Sequence, residues 1–287
     1  YSFINYKTGN GFRENSNFES TNGYINITKN INKKLTASFE FTSLDYLAKQ
    51  SGGLNDRMFT EDPLQSNRTR NWFKVNWLLY NLKLRFTQSK NTLHTLSLFG
   101  LDAERFSLGY RSNRVNQEDP MNERDLIYGQ FNNFGLEYKT LFKKYIYNKK
   151  TASLIGLKVY RSQNTSQQGA GSENADADFN FYNNIYPNYS NQSSYKYPNI
   201  NIALFGESVI YLNDNLSITP GLRFEYIDTK SDGNYYKMLF DNANNFIFDT
   251  IVYNETNNKR NFILLGLGLS YKTNEQLECY ANISQNY

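Results

Sequence analysis

The sequence of 287 residues contains one cysteine, one histidine and five prolines. A lone Cys279 excludes an internal disulfide, and a lone His94 argues against a zinc site or a histidine-dependent catalytic centre. No run approaches the ~18 consecutive apolar residues of a membrane helix, which excludes a protein that spans the bilayer with helices. The balance of 31 basic against 27 acidic residues is too even for a dedicated nucleic-acid-binding protein.

Aromatic side chains are abundant, with 24 Tyr and 21 Phe, although only 39% of the residues are hydrophobic. Disordered chains are poor in aromatic residues, so we expect an ordered protein. The low mean hydropathy of -0.69 is compatible with a transmembrane β-barrel, because apolar residues alternate with polar ones in its strands.

Apolar and polar residues alternate in several segments, as in strands with one face toward lipid and one toward water. Clear examples are 35–42, 78–87, 218–226 and 265–271. In the third of these, Leu222, Phe224 and Tyr226 share one phase. Arg223 and Glu225 share the other phase, and we predict that they face the lumen of a barrel.

The connections between the predicted strands are of two kinds. Short ones are predicted near 30–34, 88–91, 143–150, 213–215 and 273–276, and long ones near 9–18, 48–69, 111–125, 163–196 and 229–259. Strict alternation of short and long connections is typical of outer-membrane barrels, which have short periplasmic turns and longer outside loops. We therefore predict an all-β, antiparallel, up-and-down transmembrane β-barrel with about 11 strands, a number read from the strand pattern.

Three segments then resemble a known family. The segment from Ala203 to Ile227 resembles the strand, short turn and strand signature of TonB-dependent outer-membrane receptors, and 277–287 resembles their next strand. The segment 46–59 is similar to one in the ferric dicitrate branch of that family. The resemblance extends over essentially the whole chain.

This resemblance implies a 22-stranded barrel filled by an N-terminal plug, with a short box before the plug that engages TonB. We expect residues 1–287 to form one partial barrel domain, about half of the strands, with the plug and the box absent from this sequence. The implied location is the outer membrane of a Gram-negative cell. The implied partners are outer-membrane lipid, a ferric chelate and, through the missing N-terminal region, the TonB complex; neither a cofactor nor a nucleic acid is expected.

The resemblance further implies import of a ferric chelate, with ferric citrate as the leading substrate. Such an anion needs cations at the barrel mouth, and arginine presents a planar fork to a carboxylate. The candidate ligand-binding residues in or beside the long loops are Arg57, Arg68, Arg105, Arg111 and Arg114. Alternatively these arginines solvate the mouth or bind lipopolysaccharide, and the resemblance also leaves open another siderophore, cobalamin, a glycan, or a surface barrel without transport.

Two further patterns point away from an enzyme or a metal protein. Asp176, Asp178 and Asn180 resemble the start of a calcium loop, but Phe181 replaces its turn glycine and Pro187 its final glutamate. His94 is expected next to a short turn, at the end opposite the long loops. A hydrolase with its site among those loops would need the reverse placement, so no catalytic residues are assigned.

Overall fold

The computed structural model describes residues 1–112, 114–146, 149–243 and 245–286. Within these ranges eleven strands form a single sheet in which each strand pairs antiparallel with its neighbours in sequence. The strands are β1 (Ser2–Gly9), β2 (Phe18–Asn30), β3 (Leu35–Lys49), β4 (Trp72–Ser89), β5 (Thr92–Gly109), β6 (Asp125–Ile146), β7 (Lys149–Ala170), β8 (Ser193–Tyr211), β9 (Leu216–Phe240), β10 (Phe246–Lys272) and β11 (Glu278–Ser284). The predicted all-β, up-and-down order is confirmed.

The connections largely follow the predicted pattern. Short ones occupy 31–34, 90–91, 212–215 and 273–277, while the short connection predicted near 143–150 includes residues 147 and 148, which lie outside the described residues. Long ones occupy 10–17, 50–71, 110–124 and 171–192. All four long connections lie at one end of the sheet, because each follows an odd-numbered strand of an antiparallel meander.

The prediction of a long loop over 229–259 is wrong. These residues belong mostly to β9 and β10, which stay in register from Asp228, opposite Lys259, up to Leu239, opposite Phe248, before a register shift places Phe240 opposite Phe246. The loop predicted over 163–196 is likewise shorter, since β7 continues to Ala170. A hairpin needs no apolar alternation in order to pair, because its backbone groups are satisfied by the hydrogen bonds between its two strands. Its polar sequence therefore resembles a loop.

The two faces of the sheet differ in chemistry. Leu222 and Leu265 lie opposite each other on one face, here called the apolar face, and are 56% and 55% exposed. On the other face, here called the polar face, Glu40 accepts hydrogen bonds from Asn26 and Asn81 at 3.0 and 3.3 Å. Exposed leucines beside occluded polar groups reverse the pattern of a water-soluble sheet.

Two glycines on the polar face allow close approach of an aromatic ring from the neighbouring strand. Gly135 lies opposite Phe99, and Gly156 lies opposite Phe205. A Cβ atom at either glycine would come within 2.3 Å of the ring Cζ atom. Each ring therefore packs directly on the backbone of the adjacent strand, where any larger residue would displace it.

The long connections add the one helix of the described residues, and the largest fully buried side chains among those residues lie in or beside them. Helix α1 (Asp56–Glu61) begins after Asn55, whose side chain accepts a hydrogen bond from the Met58 amide at 2.9 Å. The sequence indicated no helix here, and no helix of the described residues is long and apolar enough to cross a membrane. At the loop ends of β5 and β6, Leu108 and Leu126 are 1% and 0% exposed.

Candidate functional site at the loop end of the sheet

The structure brings three of the five candidate arginines together. Arg68 donates to the Ser112 hydroxyl at 2.8 Å and to the Gln117 carbonyl at 3.1 Å, so it lies against the connection that carries Arg111 and Arg114. No hydrogen bond or ion pair joins Arg57 or Arg105 to this group within the described ranges. Arg57 lies on α1, and Arg105 lies on β5 near the loop end.

Arg68 is only 6% exposed, and its guanidinium is occupied by the connections around it. Besides its bonds to Ser112 and Gln117, it donates to the Asn67 carbonyl at 2.6 Å and stacks over the Tyr110 ring at 5.0 Å. A buried guanidinium with several protein acceptors has little capacity left for a ligand. We interpret Arg68 as a residue that stabilises the loops.

The other four candidates are exposed. Arg57 forms an ion pair of 3.7 Å with Glu61 one helical turn away. Arg105 lies over the Phe131 ring at 5.9 Å on the polar face. Arg111 pairs with Asp125 at 3.3 Å, and the side chain of Arg114 has no hydrogen bond or ion pair among the described residues. Ligand binding by all five arginines stays a prediction, and these four are the ones with exposed side chains.

A cleft of about 380 Å³ opens beside Arg111, between the connections 110–124 and 171–192 and the end of β9. At its floor the carboxylate of Asp125 accepts hydrogen bonds from Tyr189 at 3.0 Å and from Gln168 at 2.9 and 3.0 Å. Glu123, Asn188 and Phe240 also line it. The cleft thus combines one exposed guanidinium with carboxylates, amides and aromatic rings.

Two arginines that sequence reasoning missed are buried beside this cleft. Arg70 is 1% exposed and donates to both carboxylate oxygens of Asp119, at 2.5 and 3.0 Å, and to the Glu173 carbonyl at 2.6 Å. Arg124 is fully buried and donates to the carbonyl and hydroxyl of Ser172 at 2.9 and 2.7 Å. One signal could have found them: each stands within two residues of a strand start, where backbone carbonyls of neighbouring connections converge.

Burial and charge shift the pKa values of these groups. Burial alone would raise the pKa of Asp119, but the hydrogen bonds and charge of Arg70 hold it below its usual value of 3.8. Burial and the neighbouring Arg70 charge lower the pKa of Arg124. Burial and the Asp125 carboxylate raise the pKa of Tyr189, so its phenol stays protonated and keeps donating to Asp125.

The predicted lumen-facing pair lies on the polar face. Arg223 donates to Glu225 at 2.5 Å and lies over the Phe205 ring at 5.3 Å, and Asn201 donates to the second Glu225 oxygen at 2.7 Å. Glu225 is 8% exposed. This is a salt-bridge network within the wall, and the assignment of its face to a barrel lumen stays a prediction.

The discounted patterns have other partners in the structure. Asp176 pairs with Arg124 at 3.6 Å, and Asp178 accepts a hydrogen bond from Tyr182 at 2.5 Å. Among the described residues, no three metal-binding side chains come together. His94 lies beside the short turn 90–91, as predicted, where it bonds to Tyr138 at 2.7 Å.

Comparisons with known proteins bear on this architecture. The sequence profile of a family described as TonB dependent receptor-like, beta-barrel matches residues 4–287. Among curated proteins, a sequence search finds no match. Structural similarity extends over 99% of the chain to the ferric citrate transporter FecA in its unliganded form, with a TM-score of 0.77 and 16% identity.

Two other solved receptors are similar in fold. The ferric yersiniabactin uptake receptor FyuA from Yersinia pestis aligns over 97% of this chain, with a TM-score of 0.72 and 8% identity. The open form of the ferric-catecholate import receptor Fiu from E. coli K12 aligns over 99%, with a TM-score of 0.72 and 9% identity. The chain covers 38%, 40% and 49% of the FecA, FyuA and Fiu chains, which is less than half of each.

Proposed function

The chain belongs to the TonB-dependent receptor-like β-barrel family, and from this premise we propose that residues 1–287 form part of the barrel wall of a receptor that imports a ferric chelate. The complete receptor would lie in the outer membrane of a Gram-negative cell and draw energy from the TonB complex. Its role would be transport, without catalysis. The similar fold of three iron-chelate transporters and receptors supports the substrate class.

The contrast between the two faces of the sheet carries the membrane part of the proposal. Leu222 is 56% exposed on the apolar face, while Glu225, three residues further along β9, is 8% exposed on the polar face. Contact of this leucine with lipid is favourable, whereas its exposure to water costs free energy. With the apolar face toward lipid, the polar face borders the lumen.

The exposed guanidinium groups support an anionic chelate, and we propose ferric citrate. Arg111 lies at the cleft between the long connections, and Arg114 follows it on the same connection. Charge-assisted hydrogen bonds from a guanidinium fork to carboxylates are among the stronger polar contacts. Arg111 would exchange its 3.3 Å contact with Asp125 for a carboxylate of the ligand.

A binding measurement on the purified full-length receptor tests the proposal. Titration with ferric dicitrate should give saturable binding that weakens as salt rises, because exposed charges are screened. A neutral ferric hydroxamate of similar size and iron-free citrate serve as matched ligands. If the receptor prefers the hydroxamate, the proposed substrate changes from ferric citrate to another siderophore. The proposed role in iron uptake is then retained.

Uptake by cells separates transport from its alternatives. Accumulation of radioactive iron from the bound chelate should require both the receptor and a functional TonB complex. TonB-dependent uptake of cobalamin or of a glycan, without iron uptake, would contradict the substrate class. A receptor that supports no uptake of any of these compounds would be a surface barrel without transport.

A further inference from the structure

We infer that the four long connections form one cooperative body, linked by a series of four arginines. This series, here called the arginine chain, consists of Arg13, Arg68, Arg70 and Arg124. The body consists of the connections 10–17, 50–71, 110–124 and 171–192. Each arginine lies in or beside one connection and donates hydrogen bonds to another, so that the links run from β1 to β8 without a gap.

The first link joins the connections 10–17 and 50–71. The guanidinium of Arg13 donates to the Gln65 carbonyl through two nitrogens, at 2.7 and 3.1 Å, and to the Gly52 carbonyl at 2.7 Å. A backbone bond of 3.0 Å from Glu14 to the Leu64 carbonyl runs beside it. Arg13 therefore spans the connection 50–71 near both of its ends.

The second link joins 50–71 to 110–124. Arg68 donates across this boundary to Ser112 and Gln117, and the neighbouring Asn67 side chain donates to the Val115 carbonyl at 2.6 Å. Both residues lie in the segment that enters β4. The start of β4 and the connection that leaves β5 are consequently held together.

The third and fourth links extend the body to 171–192. Arg70 donates to Asp119 in one connection and to the Glu173 carbonyl in the other. Arg124 donates to Ser172, to the Asp176 carbonyl at 2.8 Å and back to the Arg70 carbonyl at 3.0 Å. The last bond joins two members of the arginine chain directly.

Guanidinium chemistry explains why arginine occupies these positions. A guanidinium carries five N–H donors in a planar fork. One side chain can therefore donate to carbonyls of two segments that are not paired with each other as β-strands. Buried carbonyls need such partners. Arg70 and Arg124 are at most 1% exposed, so little water is available to replace these bonds when one segment shifts.

The body also fixes the candidate cleft. Asp125, the floor of that cleft, directly follows Arg124, whose side chain and backbone are both held by Ser172. The four arginines are therefore positioning residues for the cleft rather than ligand contacts. The cooperative body is independent of the ligand, and only the effect on chelate affinity depends on the proposed function.

Hydrogen exchange of the full-length receptor in detergent, followed by mass spectrometry, tests the inference with Arg13→Gln. Among the described residues, Arg13 forms hydrogen bonds only within 10–17 and with 50–71, so independent connections would confine the change in exchange to these two. A cooperative body should also lose protection in 110–124 and 171–192. We expect about tenfold faster exchange there, the factor that corresponds to ~1.4 kcal/mol.

The matched control is Lys90→Gln, which removes one charge at the opposite end of the sheet and should leave all four connections unchanged. Arg124→Lys tests the same coupling from the other end of the arginine chain, and it should speed hydrogen exchange in 10–17. If Arg13→Gln fails to assemble, Arg13→Lys replaces it, since lysine keeps the charge and loses the fork. Faster exchange confined to 10–17 and 50–71 would overturn the inference, whatever the receptor binds.

Chelate titration of the same variants then separates the two proposals. If the body positions the cleft, Arg13→Gln should weaken chelate binding although its site is two connections away from Asp125. Propagated exchange with unchanged affinity would retain the cooperative body and remove its role in positioning the cleft. Absence of chelate binding by the unmodified receptor would count against the proposed function alone.

Discussion

Arg70 holds both carboxylate oxygens of Asp119, at 2.5 and 3.0 Å, although 49 residues separate them in sequence. The two side chains are 1% and 8% exposed. Burying two charges is costly, and their attraction compensates only when the geometry is good and the remaining donors are satisfied. Here the third guanidinium nitrogen donates to the carbonyls of Asn122 and Glu173, so the pair meets that condition.

Removing one member of this pair should loosen the loop end strongly. Arg70→Met leaves the Asp119 carboxylate without its partner, and we expect a loss of about 3–5 kcal/mol in local stability. The double variant Arg70→Met with Asp119→Leu should recover much of it, because no charge is left unpaired. Protease cleavage rates within 110–124 measure the change.

An exposed ion pair gives the control for that series. Arg57 and Glu61 lie 3.7 Å apart and are 77% and 60% exposed, so Glu61→Gln should cost about 0.5 kcal/mol or less. Equal losses of stability in Arg70→Met and Glu61→Gln would mean that burial does not strengthen the Arg70–Asp119 pair. Additive losses in the double variant would show that the two side chains act separately.

Acid should weaken the same contact. The folded pKa of Asp119 lies below its ordinary value of 3.8, so the carboxylate stabilises the loops above pH 3.8 and loses this effect as pH falls through the lowered value. Hydrogen exchange of 110–124 in the native receptor and in Asp119→Asn, at matched pH, removes the intrinsic pH dependence of exchange. The difference between the two should be constant near neutral pH and shrink below pH 3.8. A constant difference down to pH 2 would contradict the lowered pKa.

The sheet could be predicted because strand pairing leaves a strong trace in sequence. Around Leu222 and Arg223 the side chains alternate with period two, and a slip by one residue would move every side chain to the wrong face. The β9–β10 hairpin beyond Asp228 lacks that alternation, because polar residues lie on both of its faces there. Its strands are specified by pairing with each other, which a local pattern does not contain.

The loop end could be predicted only in part. The sequence placed arginines in the long connections, and Arg68, Arg111 and Arg114 do lie together. Whether a guanidinium is buried depends on acceptors that the fold supplies from elsewhere, as when Arg70 reaches a carbonyl 103 residues away. For that reason the sequence did not reveal that Arg68 is buried, and Arg70 and Arg124 went unnoticed.

The glycine under the Phe205 ring gives a test of packing. In Gly156→Ala the new Cβ atom would lie 2.3 Å from the ring, which must swing away, and we expect a loss of about 1–3 kcal/mol. Gly221→Ala is the matched control, because its nearest atoms are 3.6 Å away in ordinary contact. Unfolding in guanidinium chloride measures both, and Phe205→Leu should relieve the defect of Gly156→Ala.

The orientation of the two faces can be tested by charge. Leu222→Arg places a guanidinium on the apolar face, where lipid makes it cost up to about 2–4 kcal/mol at the bilayer midplane. Thr219→Arg adds the same charge to the polar face of the same strand and should be tolerated. Folded fractions in lipid vesicles, measured by gel mobility without heating, compare them. A worse defect in Thr219→Arg would reverse the assignment of the faces.

The arginines at the loop end provide the test of the substrate. If the ligand is an anionic ferric chelate, changing Arg57, Arg105, Arg111 and Arg114 to Gln one at a time should identify at least one variant with about tenfold weaker binding, equivalent to 1.4 kcal/mol. Arg111 is the strongest candidate, because it alone of the four lines the cleft and faces a carboxylate that a ligand could replace.

Two variants make the arginine series decisive. Arg85→Gln removes the same charge from β4 near the turn 90–91, far along the strand from the long connections, and should leave affinity unchanged. Arg68→Gln should speed hydrogen exchange in 110–124, because this guanidinium holds the loop through Ser112 and Gln117. A loss of affinity in Arg68→Gln together with faster exchange would follow from loop motion, whereas a loss of affinity without faster exchange would indicate that Arg68 contacts the ligand. Full affinity in all four exposed-arginine variants would mean that none of these guanidinium groups holds the ligand. A neutral chelate would then be the expected ligand, because the charge of Arg111 in the cleft is balanced by Asp125.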